Sequence, residues 1–434
     1  MVAGEISYDD LIKEDQVHGR LYYDQTIFQE EMDKIFSRNW VYVGHESEVA
    51  ERGEFVGRWF GLQPVILVRD RERRLHLLLN RCRHRSNTVC QLERGVAAGG
   101  FRCAYHGWTY AASGELIGMP YPTGYAPGDF RKEEHGLLEV ALESYHGFLF
   151  GHLNPNGRSL LEHLGGARTL LDRVVDLAPD GEVMLTAGML KHKYRANWKM
   201  TMENVLDAYH PPILHQSAFH LDSGKSFNWD SVYGPEGNAR VRDLGDGHGQ
   251  IDFTAQNRKS GGFFFQGLRG DVPTAARDAY VEGLVRRLGS ERASQVIGDS
   301  DPHFSIFPNF NYLPPGQVRL IRPVSVDETH IYYFPALLKG APDELNRERI
   351  RRNGYMHGPA GLVAPDDIDV YERNQEAFKA RQDEWLILRR GVRSQRRDEG
   401  GFLVGMAYEE TTQRGLWRHY RRVMTQAGAG SQER

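Results

Sequence analysis

All three cysteines of the chain fall within residues 81–110, RCRHRSNTVCQLERGVAAGGFRCAYHGWTY, and two histidines stand among them. No other stretch of the 434 residues limits the fold as strongly, because thiolates and imidazoles gathered this closely bind a metal or do chemistry. A disulfide framework fits poorly. The N-terminal MVAGEISYDDLIKED is acidic and lacks the apolar core of a secretory signal, so the chain is expected to be cytoplasmic and its thiols reduced. No run of residues reaches the eighteen or so apolar positions of a membrane span, so none is expected. With 54 basic and 58 acidic side chains and a net charge of −4, nothing points to nucleic acid.

Cys82-x-His84 and Cys103-x2-His106 make two loops, each with one sulfur and one imidazole. Ordinary zinc fingers pair cysteines first and histidines second. Mixed loops suit a binuclear cluster in which both sulfurs hold one iron and both histidines the other, the ligation of a Rieske [2Fe–2S] centre. A zinc site with irregular ligand order is the competing reading. Cys90 fits no ligand slot and reads as a buried structural thiol.

Around this motif the chain divides into three blocks. Residues 1–40 include a helical pattern, TIFQEEMDKIFS, opened by a Thr26…Gln29 capping box, and form a segment expected to pack on the last block. Residues 41–155 carry short β-like runs and glycine-rich turns, and residues 156–434 mix helices with long strands. HFSIFPNFNYL, QVRLIRPVSV and HIYYFPALL read as consecutive antiparallel strands. TQRGLWRHYRRVM reads as a helix whose basic face is solvated or meets another subunit, and AGAGSQER as a ragged tail.

The last block holds a second constellation, NWKMTMENVLDAYHPPILHQSAFH. Asn204, Asp207 and His210, spaced i, i+3, i+6, form one stripe of a helix that Pro211 and Pro212 end. The turn then brings His215 back toward His210. Taken alone, a polar helix face explains the pattern. Beside a cluster that supplies electrons, two histidines and a carboxylate instead suggest the facial triad of a non-haem Fe(II) oxygenase. Asp366 and Asp367, just before a helical pattern, are the acidic candidates, and one of them suits a helix cap. Arg319 and Arg322 lie on a strand, where an arginine more often serves a structural ion pair than a ligand.

NRCRHRS…RCAYHGWTY closely resembles the Rieske motif of ring-hydroxylating oxygenase α subunits. The 18-residue gap between its loops is long for that family, with AAGG at 97–100 as slack, and Ser86 stands where glycine is common. The segments YVGHESEV, ENVLDAYH…H, GPAG…DD and ETTQRGLWRHY extend the resemblance along most of the chain. It implies an α+β protein with an N-terminal, mostly-β Rieske domain and a catalytic domain of antiparallel sheet wrapped by helices. It implies one [2Fe–2S] cluster on Cys82, His84, Cys103 and His106, and one mononuclear Fe(II) on His210, His215 and Asp367. Asn204 and Val363 would lie next to that iron. It implies a trimer, often with a small β subunit, in which Asp207 bridges His210 to His106 of the next chain. O2 and an aromatic substrate would meet at the iron. No G-x-G-x-x-G follows a strand, so NAD(P)H would deliver electrons through a separate reductase, ferredoxin or both. The two-residue spacing between Asn204 and Asp207 resembles that of oxygenases for benzoate, salicylate and terephthalate, so an aromatic carboxylate is the expected substrate and cis-dihydroxylation the expected reaction. A Rieske monooxygenase or demethylase, and a plain electron carrier, are the alternatives.

Overall fold

The computed structural model describes residues 6–126, 128–154, 157–223, 232–234, 236–259 and 272–426; the tail at 427–434 lies outside them. The chain forms two compact units, Phe36–Leu160, and Met1–Ile35 together with Leu161–Arg434.

In the first unit, Gln63–Arg69 shows why these residues form strands. Val65 to Val68 are all buried, and β-branched and aliphatic residues fill a strand covered on both faces. It sits inside a seven-stranded sheet whose spatial order is Val41–His45, Phe148–His152, Glu139–Tyr145, Leu75–Leu79, Gln63–Arg69, Glu54–Phe60 and Arg94–Val96. A three-stranded sheet, Phe101–Arg102, Thr109–Tyr110 and Leu116–Gly118, carries the second Cys/His loop. Phe55, Ile66, Leu78, Phe101 and Trp108 pack into one core, and Cys82 and Cys103 are part of it. Cys90 is only half-buried at its edge, not a core thiol, because its Sγ turns toward the Leu92 carbonyl and the surface.

The two loops repeat one turn. Ser86 N–H donates to the Cys82 carbonyl and Gly107 N–H to the Cys103 carbonyl, both at 3.0 Å. Residues 86 and 107 both need left-handed backbone, φ +58° and +71°. That conformation explains why glycine is common at position 86. Ser86 accepts it, and its hydroxyl accepts bonds from Arg81 Nε and Nη2.

The second unit is built on an antiparallel sheet ordered Leu190–Tyr194, Glu328–Pro335, Gln317–Ser325, Phe310–Leu313, His303–Ile306, His248–Asp252, Arg240–Gly245, Leu403–Met406 and Arg396–Arg397. The strands expected over 303–335 pair in sequence, as short turns between them require. Helices Thr274–Leu288, Asp343–His357, Ala364–Ala377 and Thr411–Thr425 accompany it. The N-terminal helix, Gln25–Glu31, is capped by Asp24, which accepts from the N–H groups of Thr26 and Ile27, rather than by Thr26. Thr411–Thr425 keeps Arg421 and Arg422 partly solvated, as a basic face requires, while most of the helix is buried. Leu416, Trp417 and Tyr420 are buried, and Arg418 and Arg422 pair with Asp243 and Asp246 of the same unit. A buried ion pair, Lys199 with Glu31, joins the N-terminal segment to Trp198 and Tyr420, both of which also donate to Glu31.

Adjacent glycines in the long gap separate sterics from composition. A Cβ on Gly100, at φ +86°, would lie 2.1 Å from the Tyr110 carbonyl oxygen, whereas one on Gly99 meets nothing within 4 Å. Gly100→Ala should therefore lower the unfolding free energy by at least about 2 kcal/mol and Gly99→Ala by less than about 0.5 kcal/mol. Urea unfolding of the two variants beside wild type measures both; equal effects would contradict the clash.

Candidate metal centres

The strand Leu75–Leu79 leads into Cys82, and the hairpin of Phe101–Arg102 with Thr109–Tyr110 presents Cys103. The His84 and His106 rings approach to 4.5 Å. His84 stacks flat on Trp108, centroids 4.9 Å apart, which gives the tryptophan after the second His-Gly a purpose. The Tyr110 hydroxyl lies 3.2 Å from Cys82 Sγ, and Asn87 Nδ2 lies 3.6 Å from Cys103 Sγ. Burial pushes the Cys103 thiol up, but the N–H groups of Tyr105 and His106 and the Asn87 amide outweigh it and hold the thiol below its usual range. His84 Nδ1 is buried without a partner. Two buried sulfurs facing donors, beside an orphaned ring nitrogen, fit a [2Fe–2S] cluster on Cys82, Cys103, His84 and His106.

In the second unit, His210, His215 and Asp367 place their ligand atoms within 4.8 Å of one another. The helix Lys199–Asn204 stops at Asn204, six residues short of the His210 that the stripe of Asn204, Asp207 and His210 requires. Pro211 and Pro212 open a new helical turn, Pro211–Leu214, instead of closing the old one, because a missing N–H costs nothing in a first turn. His210 and His215 flank that turn as its two caps, rings 5.3 Å apart. The Nε2 atoms of His215 and His210 converge on Asp367 Oδ1, at 3.1 and 3.6 Å.

Asp366 and Asp367 both lie in the first turn of Ala364–Ala377, and neither caps it, since Val363 holds that place. Their environments part them. Asp367 is buried, and Asp366 is partly exposed and reaches the other nitrogen of His215, Nδ1, at 3.4 Å. Burial raises the Asp367 carboxyl, yet His215, His210 and Arg319 outweigh it and keep it below the usual carboxylate range. A buried carboxylate held ionised by two imidazoles, with His215 Nε2 lacking a hydrogen bond, is a donor set that fits a divalent non-haem metal.

Asn204 Nδ2 sits 3.2 Å from both His210 Nε2 and Asp367 Oδ1. Val363 packs with Ala218 and Met356 in a small apolar cluster. Asp207 accepts from the N–H of Tyr209 and sends Oδ2 to within 3.7 Å of His210 Nδ1, its side chain remaining partly exposed. Arg319 makes no ion pair with any described residue, contrary to the structural role expected of it. Asn311 and His357, both buried, and the half-buried His303 lie around it or beside the cluster and carry no motif; a polar residue recurring every second position of a buried strand, as in Gln317 and Arg319, was the available signal.

Comparison with known proteins places this geometry in a family. Residues 39–139 match the Rieske [2Fe–2S] domain, and residues 181–426 match the ring hydroxylating α subunit, catalytic domain. The toluate 1,2-dioxygenase α subunit of Pseudomonas putida is 31% identical over 85% of this chain and 82% of its own. The N,N-dimethyl phenylurea N-demethylase α subunit of Sphingobium sp. is 32% identical over 81% and 78%. A naphthalene 1,2-dioxygenase structure with indole bound in the active site superposes with a TM-score of 0.82 at 28% identity, covering 97% of this chain and 95% of that one. The chain belongs to the ring-hydroxylating oxygenase α subunits, oxidoreductases that incorporate O2 with a Rieske [2Fe–2S] cluster and a non-haem iron. Among the described residues no helix is long and apolar enough to cross a membrane.

Hydroxyl and amide donors aimed at a cluster sulfur favour the reduced, more negative form. Tyr110→Phe should lower the cluster potential by roughly 50 mV, on the order of 1 kcal/mol for one electron. Redox titration followed by visible absorption checks this; an unchanged potential would show that the 3.2 Å contact does not act on the cluster.

Proposed function

We propose that the chain is the terminal oxygenase component of a multicomponent system that converts an aromatic carboxylate to a cis-dihydrodiol. Both oxygen atoms of O2 join adjacent ring carbons, and two electrons from NAD(P)H with two protons complete the balance. The observation that carries the reading is the convergence of His210, His215 and Asp367 in a chain that also holds the four Rieske residues. When bound, the cluster supplies single electrons and the ferrous ion supplies O2 activation.

The protein's share is orientation. His210, His215 and Asp367 offer three donors and leave the remaining positions to O2 and substrate. Asp366 fixes the ring of His215 through Nδ1. Asn204 steadies Asp367 and His210. Val363, Ala218 and Met356 offer apolar surface for a ring. The chain has no nicotinamide motif, so a reductase, alone or with a ferredoxin, would bring the electrons, and an α3 or α3β3 assembly would place one subunit's cluster by another's iron. Asp207 is the bridge in that assembly: its carboxylate faces His210 Nδ1 and is partly exposed, and His106 of a neighbouring subunit would donate to it. The carboxylate preference rests on the short Asn204–Asp207 spacing and on the likeness to toluate dioxygenase.

A single turnover of the reduced protein under 18O2, with benzoates and neutral arenes, tests the reaction. Two labelled atoms in one product support it. One labelled atom moves the assignment to a monooxygenase or demethylase, the reading favoured by the likeness to the phenylurea N-demethylase. For the bridge, Asp207→Asn and Asp207→Ala should retain iron and labile sulfide while steady-state turnover falls by about 100-fold. Normal turnover in either variant would remove Asp207 from the electron path.

A further inference from the structure

Arg319 is carried inward by the strand Gln317–Ser325 and is 2% exposed. All its contacts are neutral. Nε donates to Gln317 Oε1 at 2.7 Å, Nη2 donates to His357 Nδ1 at 3.3 Å, and the guanidinium lies 4.8 Å over the Tyr333 ring. No described carboxylate lies within ion-pair distance of it. Asp367 feels its charge but is committed to two imidazoles at 3.1 and 3.6 Å. The neighbouring histidines add no negative charge and are themselves kept neutral. His303, its Nε2 donating to the Val205 carbonyl, is pushed down to about 3 by burial and then by Arg319, and His357 is lowered by the same two causes.

A second observation lies across the sheet. Asn311 stands directly opposite Arg319 in the strand register and is fully buried. Its Oδ1 accepts from the Ser305 hydroxyl, while Nδ2 has no acceptor among the described residues. A buried cation without a counter-charge and a buried amide donor without an acceptor are both unfavourable, and both sit on one face of the sheet. One planar anion answers both, since a guanidinium fork and an amide match the oxygens of a carboxylate. Met356, next in the chain to His357, packs with Ala218 and Val363 in a small apolar cluster.

We propose that Arg319, with Asn311 beside it, receives the carboxylate of the substrate and selects an aromatic acid over its uncharged analogue. The proposal rests on the aromatic-carboxylate reading of the site and names the residues that enforce it. Their role is in binding and specificity, not in the chemistry.

The test is equilibrium binding to the resting holoenzyme, without reductant, of benzoate and ring-substituted benzoates against the matching benzamides. Wild type should bind at least one acid about 100-fold more tightly than its amide. Arg319→Gln should bring that ratio near one, Asn311→Ala should reduce it by about 10-fold, and Arg319→Lys should restore part of it. A ratio unchanged in Arg319→Gln overturns the receptor and leaves the carboxylate reading standing. A wild type that prefers no acid over its amide overturns both. Should Arg319→Gln fail to fold, Asn311→Ala and Arg319→Lys decide: a wild-type ratio in both overturns the proposal.

Discussion

The catalytic unit is organised around one buried carboxylate. Asp367 has no water to solvate it, and an isolated ionised acid in that position would be strongly unfavourable or would take up a proton. The two imidazoles that prevent this come from a distant segment, so the Ala364–Ala377 helix and the His210–His215 turn are bound to each other through electrostatics. Asn204 ties the preceding helix into the same arrangement by donating to Asp367 Oδ1. The three ligand atoms then face one another, and His215 Nε2 has no hydrogen bond among the described residues to compete with a metal.

The Rieske unit meets the same difficulty with thiols instead of carboxylate. Cys82 and Cys103 sit in an apolar core, and their sulfurs are met by Tyr110, Asn87 and backbone N–H donors. The backbone donors come from a loop that turns back on itself through the left-handed Gly107, as the first loop does through Ser86. Loop geometry is therefore part of the cluster's electrostatics.

Much of this was legible in the chain itself, and what was not has physical causes. Ligand spacing is a local property, so both Cys/His loops and the His210/His215 pair could be read directly. A helix stripe was the wrong vehicle for the second pair: Asn204, Asp207 and His210 share a periodicity, but prolines favour a first turn as readily as they end a last one, and the helix breaks before Asp207. Asp366 and Asp367 differ in burial and in the imidazole nitrogens they meet, which adjacent identical residues cannot reveal. The basic C-terminal helix read as a solvated face although most of it is buried, because the partners of its arginines, Asp243 and Asp246, lie far away in sequence. Arg319 was misjudged for the reverse reason: no carboxylate among the described residues pairs with it, and an absence of pairing has no signature in a strand pattern.

The account stands on two separate metal centres held by named residues of one chain. Its most direct test is the ratio of iron to acid-labile sulfide in anaerobically purified protein and in Asp367→Ala. A [2Fe–2S] cluster alone gives equal amounts, so wild type should show an excess of one iron per chain, and Asp367→Ala should lose that excess with its Rieske absorption intact. Equal iron and sulfide in ferrous-loaded wild type, or an excess that survives in Asp367→Ala, would contradict the assignment of His210, His215 and Asp367 as a metal centre.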